Sequence, residues 1–324
     1  MKAIVYEKYG QPGVLELREI ETPTPKDDEV LVKIHAASLN QYDWHLLTAD
    51  IFLVRLMGGG LLKPKRGAPG ADIAGVIQAV GKNVTQFRVG DAVFGDIAAV
   101  GGGCAEYVCA PEKLLAHKPT NLSFEQAAAV PMAAVTALQG LRDEGKIQAG
   151  QNVLIQGAAG GVGTFAVQIA KLFGAHVTAV CSARNLEQAR TLGADAVIDY
   201  TKSDFTRAGQ QYDLIFAANG YHSLADYKRA LTSNGSYVMA GGTMRQIFEA
   251  MLLGKWHSRD GKKMSGVSAH VSQSDLEFLK TQIEARKIMP VIDRCYPLNQ
   301  TADAMRYLGQ GHARGKVIIT FAPS

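Results

Sequence analysis

Cysteine is scarce in this chain: its 324 residues include four, Cys104, Cys109, Cys181 and Cys295, at scattered positions. That is too few and too dispersed for a disulfide framework, so they read as the reduced thiols of a cytoplasmic protein. No apolar run approaches the length needed to cross a bilayer, which excludes an integral membrane segment. The opening Met1–Tyr6 reads at once as a strand, without a signal-peptide core or an Arg/Ser-rich transit segment. Charge of one sign is lacking as well. Thirty-four Lys and Arg against thirty Asp and Glu leave a net charge of +4, spread along the chain. A nucleic-acid binder that tracks phosphates would concentrate its cations, so no nucleic-acid partner is expected. The mild positive balance is enough to help steer a polyanionic cofactor. There is no internal repeat and no low-complexity linker. A P-loop is absent too: the Gly-Lys pairs at 81–82, 145–146, 254–255, 261–262 and 315–316 lack the glycine spacing and the trailing Ser or Thr.

What is present fits two domains. Up to about Asn121 the chain is β-rich. Residues 29–36 alternate with period two, and 75–81 and 90–95 are short strands set off by glycines. Such strands suggest a compact β domain with a few helices. The character then changes. Ser123 and Gln126 form a capping box that opens a helix. Strands at 152–156, 176–181, 196–199, 212–217 and 235–240 follow, with helices at 161–173 and 185–192 among them. This rhythm implies a parallel sheet covered on both faces. Residues 245–256 read as helical, and a basic stretch occupies 251–263. Amphipathic helices at 275–286 and 300–308 precede a last strand at 316–321, expected to pair back into the first domain. The division expected is 1–122, 123–262 and a return over 263–324.

The informative motif is Val153-Leu154-Ile155-Gln156-Gly157-Ala158-Ala159-Gly160-Gly161-Val162-Gly163. It follows a strand and opens a helix, the context a dinucleotide fingerprint requires. A small residue at Ala158 permits the tight turn, Gly160 lets backbone approach a pyrophosphate, and Gly163 lets the helix pack on the sheet. The phosphates then meet the N–H groups and positive dipole end of a helix N-terminus.

An NAD site places an acid about 20 residues beyond the glycines, on the ribose 2′-OH. Here the second strand ends Cys181-Ser182-Ala183-Arg184-Asn185, with no carboxylate. A hydroxyl and a guanidinium suit a 2′-phosphate. NADPH is therefore the expected cofactor, the alternative for Arg184 being a solvated residue at a helix start.

These residues resemble the medium-chain dehydrogenase/reductases, specifically their zinc-free quinone oxidoreductase (ζ-crystallin-like) branch, which includes chloroplast-envelope-type quinone oxidoreductases and alkenal reductases. The markers, in order, are 38–43, 70–75, 90–95, 158–163, 182–185, 193–200 and 314–317. The resemblance implies an α/β protein with a GroES-like β-rich catalytic domain, a Rossmann domain with a doubly wound parallel sheet, and an active site in the cleft between them. It puts Ser182, Arg184 and Tyr200 at the 2′-phosphate end, Asn185 also on the cofactor, and Gly160, Gly161, Val162 and Gly163 on the pyrophosphate. Thr136, Gly241 and Gly242 fall nearer the nicotinamide, and Asn219 and Lys316 also on the cofactor. Asn40, Asp43 and His45 would line the cleft. Relatives often carry Pro after the Asn, where this chain has Gln41.

Zinc alcohol dehydrogenases of the same superfamily use a Cys, a His from a Gly-His-Glu segment, and another Cys or Asp. Here Asn40 stands at the first position and Gly70-Ala71-Asp72 replaces the Gly-His-Glu segment. The four-cysteine structural lobe is missing, so no metal site is expected. Without a Lewis acid, alcohol oxidation loses its mechanism, and the expectation moves to polarised acceptors: quinones and α,β-unsaturated carbonyls. Tyr42 is either a donor to substrate oxygen or a packing residue. Asp43 either orients a side chain or caps the helix beginning near Trp44. His45 either touches a phosphate or ribose or has no task. The 251–263 stretch is a lid, a membrane contact or a solvated excursion. An enoyl-thioester reductase and a non-catalytic NADPH-binding protein are the alternative functions. A homodimer is expected by likeness to relatives.

Overall fold

A computed structural model describes residues 1–49, 60, 63–64, 67–241 and 261–321. The helix expected over 245–256, Gly242 and most of the basic stretch lie outside them. The chain divides into two compact units: 1–132 with 271–286 and 290–324, and 133–270 with 287–289.

The first unit opens with strands β1 (Lys2–Val5) and β2 (Glu16–Glu19), paired antiparallel. Its spine is β3 (Glu29–Leu39), where Val30, Val32, Ile34 and Ala36 face inward in strict alternation. Helix α1 (Gln41–Thr48) follows directly, and then β4 (Asp72–Val80), β5 (Ala92–Asp96), β6 (Tyr107–Pro111) and β7 (Leu115–His117). Helix α2 (Phe124–Ala128) begins at the Ser123–Gln126 capping box, packs on β3 and β4, and gives way to α3 (Pro131–Gln139), which runs from this unit into the next. Pro131 explains the break: proline has no N–H to donate within a continuing helix but is well suited to a first turn.

The second unit carries β8 (Asn152–Gln156), α4 (Gly161–Leu172), β9 (His176–Cys181), α5 (Leu186–Thr191) and β10 (Ala196–Asp199). Strand β11 (Tyr212–Ala217), α6 (Leu224–Ala230), β12 (Leu231–Met239) and β13 (Lys263–Gly266) complete it. The strand order is β10-β9-β8-β11-β12-β13, every pair parallel. That is the doubly wound order 3-2-1-4-5-6, in which the direction of winding reverses beside the first strand. Strand β12 starts four residues earlier than its apolar run suggests, because the polar Thr232-Ser233-Asn234 extends the strand without contributing to the core.

The chain returns to the first unit through α7 (Gln273–Glu284), β14 (Ile292–Pro297), α8 (Thr301–Gly309) and β15 (Lys316–Thr320). As expected of the closing strand, β15 pairs antiparallel with β3, giving a sheet ordered β14-β15-β3-β4-β5-β7 with β6 also on β3. Val30, Val32, Ile34, Ile73, Met305 and Val317 lie in its core.

Candidate functional site

In the second unit, β8 ends at Gln156 and the chain turns through Gly157, whose φ of +76° favours glycine. The N–H groups of Gly157 and Ala158 donate to the Val180 carbonyl at 3.1 and 3.2 Å, fastening the turn to β9. Gly160 is the N-cap of α4 and supplies no side chain to its first N–H groups, which have no intrahelical acceptor. A Cβ on Gly160 would meet only the Gly157 oxygen, at 3.6 Å. The approach to the start of a twelve-residue helix is thus open, and the residues present fit a dinucleotide pyrophosphate.

Asn219 and Gly241, also expected at the cofactor, lie at the same end of this sheet. Asn219 follows β11 and abuts the turn, since a Cβ on Gly157 would lie 3.1 Å from Asn219. Gly241 follows β12, its N–H donating to Ala217 at 3.2 Å and its carbonyl accepting from Gly220 at 2.9 Å. The carboxyl ends of β8, β11 and β12 therefore converge where the winding reverses, the location at which open α/β sheets bind ligands. Thr136 sits half-buried on α3.

Ser182 and Arg184 follow β9, and Tyr200 follows β10, joined to it by a Tyr200 N–H to Cys181 carbonyl bond of 3.2 Å. Asn185 is buried, donates to the Ser182 hydroxyl at 3.1 Å and keeps a carboxamide oxygen without a partner. Arg184 and Tyr200 are exposed. Two residues escaped the sequence reading. Tyr221 lies with its ring 6.1 Å from that of Tyr200, edge-on. Asp199, ending β10, accepts from the Thr201 N–H at 3.0 Å and the Thr201 hydroxyl at 2.8 Å. These Thr201 bonds hold its carboxyl below the usual range, with a smaller contribution from the Ala183 N–H. A carboxylate is therefore close to the Ser182 turn after all, supplied by the neighbouring strand and turned to backbone. Only the register Asp199↔Cys181 reveals it.

In the first unit, Asn40 caps α1. Its N–H donates to Asp43 Oδ2 at 2.8 Å, and the Gly70 N–H donates to Asp43 Oδ1 at 2.9 Å; because α1 begins at Gln41 and not near Trp44, Asp43 is its third residue, bonding back to the N-cap Asn40 and fastening the Gly70 turn. Burial pushes the Asp43 carboxyl up to about 6 despite these two bonds. Tyr42 and Asp43 line a shallow open depression together with Tyr6, Leu46, Gly70 and Gly101. His45 lies one turn along α1, half-buried, outside that lining.

Beside it is a buried polar cluster. Asp72 Oδ2 accepts from Asn40 Nδ2 at 2.9 Å, Lys316 Nζ at 3.2 Å and the Ser38 hydroxyl at 3.4 Å. Its Oδ1 accepts from the Met132 N–H at 2.9 Å. Lys316, expected at the cofactor, has its side chain 3% exposed and donates to Asn40 Oδ1 and Asp72. Asp96, facing Asp72 across the β4–β5 pair, is pushed up by burial and then by the Asp72 charge. Among the described residues, no three of His, Cys, Asp and Glu converge as metal ligands would.

Comparison with known proteins agrees with this architecture. Residues 26–120 match the family described as alcohol dehydrogenase GroES-like domain, and residues 192–319 the family described as zinc-binding dehydrogenase. The chain is 34% identical to a chloroplast envelope quinone oxidoreductase homolog of Arabidopsis thaliana, with 98% of each chain covered. It is 36% identical to an NADPH-dependent alkenal/one oxidoreductase, chloroplastic, of the same plant, over 98% of this chain and 79% of that one. The solved quinone oxidoreductase from Coxiella burnetii superposes with a TM-score of 0.89 at 30% identity, covering 99% of both chains. Although one matching description names zinc, Ala71 stands in this chain where the Gly-His-Glu segment has its histidine, and Asn40, at the first ligand position, donates to Asp72 instead. The chain belongs to the medium-chain dehydrogenase/reductase superfamily, in its zinc-independent quinone oxidoreductase branch.

Proposed function

We propose that the protein is an NADPH-dependent oxidoreductase that reduces a quinone or the activated C=C bond of an α,β-unsaturated carbonyl. The observation that carries this reading is the gathering of the glycine turn, Asn219 and Gly241 at the reversal point of the doubly wound sheet. Ser182 and Arg184 stand where the neighbouring strand ends. A reduced nicotinamide, when bound, supplies the hydride.

The chain's own residues do the rest. The N–H groups of Gly161, Val162 and Gly163 receive the pyrophosphate, and Gly160 leaves room for it. The Arg184 guanidinium and Ser182 hydroxyl receive the 2′-phosphate, with Asn185 orienting Ser182 and Tyr200 flanking the sugar. Asn40 and Tyr42 donate hydrogen bonds to the acceptor's oxygen, where negative charge gathers as electrons arrive. Asp43 keeps Asn40 and the Gly70 turn in place. The proton that completes the reduction comes from Tyr42 or from solvent. All four cysteines are free thiols, which suits the cytoplasmic location proposed here, and the assembly proposed is a homodimer.

Steady-state NADPH oxidation with a naphthoquinone, an alkenal and an enoyl-CoA tests the reading. Turnover with either of the first two supports it. Turnover with the thioester alone would make the protein an enoyl-thioester reductase, and saturable NADPH binding without turnover a non-catalytic binder. Arg184→Ala should raise KM for NADPH by on the order of 1–3 kcal/mol in RT ln KM and leave that for NADH nearly unchanged. Equal effects on the two cofactors would remove Arg184 from the 2′-phosphate.

A further inference from the structure

A lysine whose side chain is 3% exposed needs a strong reason to be inside, because burying an ammonium costs free energy unless it is paired. The reason lies in three adjacent strands. Strands β15 and β4 flank β3, with Val317 opposite Leu39 and Asp72 opposite Ser38. Lys316 and Asp72 therefore reach Asn40, the residue following β3, from its two sides. The ammonium donates to Asn40 Oδ1, while Asn40 Nδ2 donates to Asp72 Oδ2 at 2.9 Å. Lys316 and Asp72 also close on each other at 3.2 Å. The backbone of Asn40 is fixed separately by Asp43. A primary carboxamide has one acceptor oxygen and two N–H donors. The ion pair takes the oxygen and one donor, which settles the orientation and leaves the second N–H to serve.

We infer that Lys316 and Asp72 are a positioning pair for Asn40, clamping its carboxamide so that the second N–H is presented to the acceptor's carbonyl or quinone oxygen. The inference rests on the reading of Asn40 as an acceptor-facing donor. Lys316 acts through Asn40, not on the cofactor phosphates. Its charge withdraws electrons through the carboxamide oxygen, and Asp72 keeps the buried cluster near neutrality. Donor direction is thereby set before the acceptor arrives, which is what makes such a contact effective as charge develops.

A mutant cycle on the full chain tests it: Asn40→Ala, the apolar replacement Asp72→Leu/Lys316→Met, and the triple variant. Turnover with a saturating naphthoquinone and calorimetric affinity for NADPH are read for each. Replacing both ions with apolar residues avoids stranding a buried charge. Asp72→Asn/Lys316→Gln is the second route should the apolar pair fail to fold. Asn40→Ala and the pair variant should each lower kcat on the order of tenfold to hundredfold, as loss of an oriented donor does. The triple variant should be no worse than Asn40→Ala, because the two act as one unit. NADPH affinity should stay within about twofold of wild type. Multiplying losses in the triple variant, or a weakened NADPH affinity with kcat intact, would overturn the inference. Normal turnover in the pair variant with a crippled Asn40→Ala would overturn it while leaving Asn40's role standing. Normal turnover in Asn40→Ala would remove that role and the inference together.

Discussion

Gly163 is pressed against Gly157: a Cβ on Gly163 would lie 2.0 Å from the Gly157 carbonyl oxygen and 2.8 Å from Ala158 Cα. Both neighbours are backbone, so neither can swing aside. Helix α4 must lift from the turn to admit even a methyl group. Gly163→Ala should therefore destabilise the second unit by about 1–3 kcal/mol, the usual cost of overpacking, and weaken NADPH binding as well. Urea denaturation and calorimetry check the two effects. An unchanged denaturation midpoint would show that the turn yields more easily than its backbone contacts imply.

Gly160 is the contrasting case. Its φ of −78° suits any residue, and an added Cβ would meet only the Gly157 oxygen at 3.6 Å. The folded chain tolerates a methyl there; a pyrophosphate lying on the helix N-terminus does not. Gly160→Ala should denature like wild type yet lose NADPH affinity on the order of tenfold or more, the cost of crowding a close backbone approach. Intact affinity would place the phosphates elsewhere. The two glycines thus separate folding from binding within one turn of helix.

That distinction was half legible in the sequence. The fingerprint 157–163 could be read because a parallel sheet buries both faces, so its strands appear as short apolar runs punctuated by glycine. Local signals also gave the capping box at Ser123 and the strand ends around Ser182. The clamp on Asn40 was not legible. Lys316 and Asn40 are 276 residues apart, and only the pairing of β15 with β3 brings them together. Asp199 stood in plain view within the 193–200 segment, but its approach to the Ser182 turn depends on the β9–β10 register. Tyr6 as a wall of the depression beside Tyr42 is likewise a product of tertiary packing, with no local pattern to announce it.

Asp43 gives a prediction about pH. The residue is 3% exposed, and its carboxyl is raised to about 6 by burial. An unfolded Asp titrates near ~3.9, so between those values the folded chain holds a proton the unfolded chain has lost. Stability from this group is therefore complete below about pH 4 and falls as pH rises through 6, by on the order of 3 kcal/mol in total. Asp96, also pushed up, acts in the same direction. Asp195, Asp204 and Asp226, whose carboxyls are held low by hydrogen bonds and cations, act oppositely and only below the usual Asp range. Asp43→Asn cannot ionise, yet retains one acceptor for the N–H groups of Asn40 and Gly70. Its stability relative to wild type should therefore improve steadily from pH 4 to pH 6 in urea denaturation series and level off above. A difference that stays flat across that window would mean that Asp43 ionises in the folded protein as readily as it does in water.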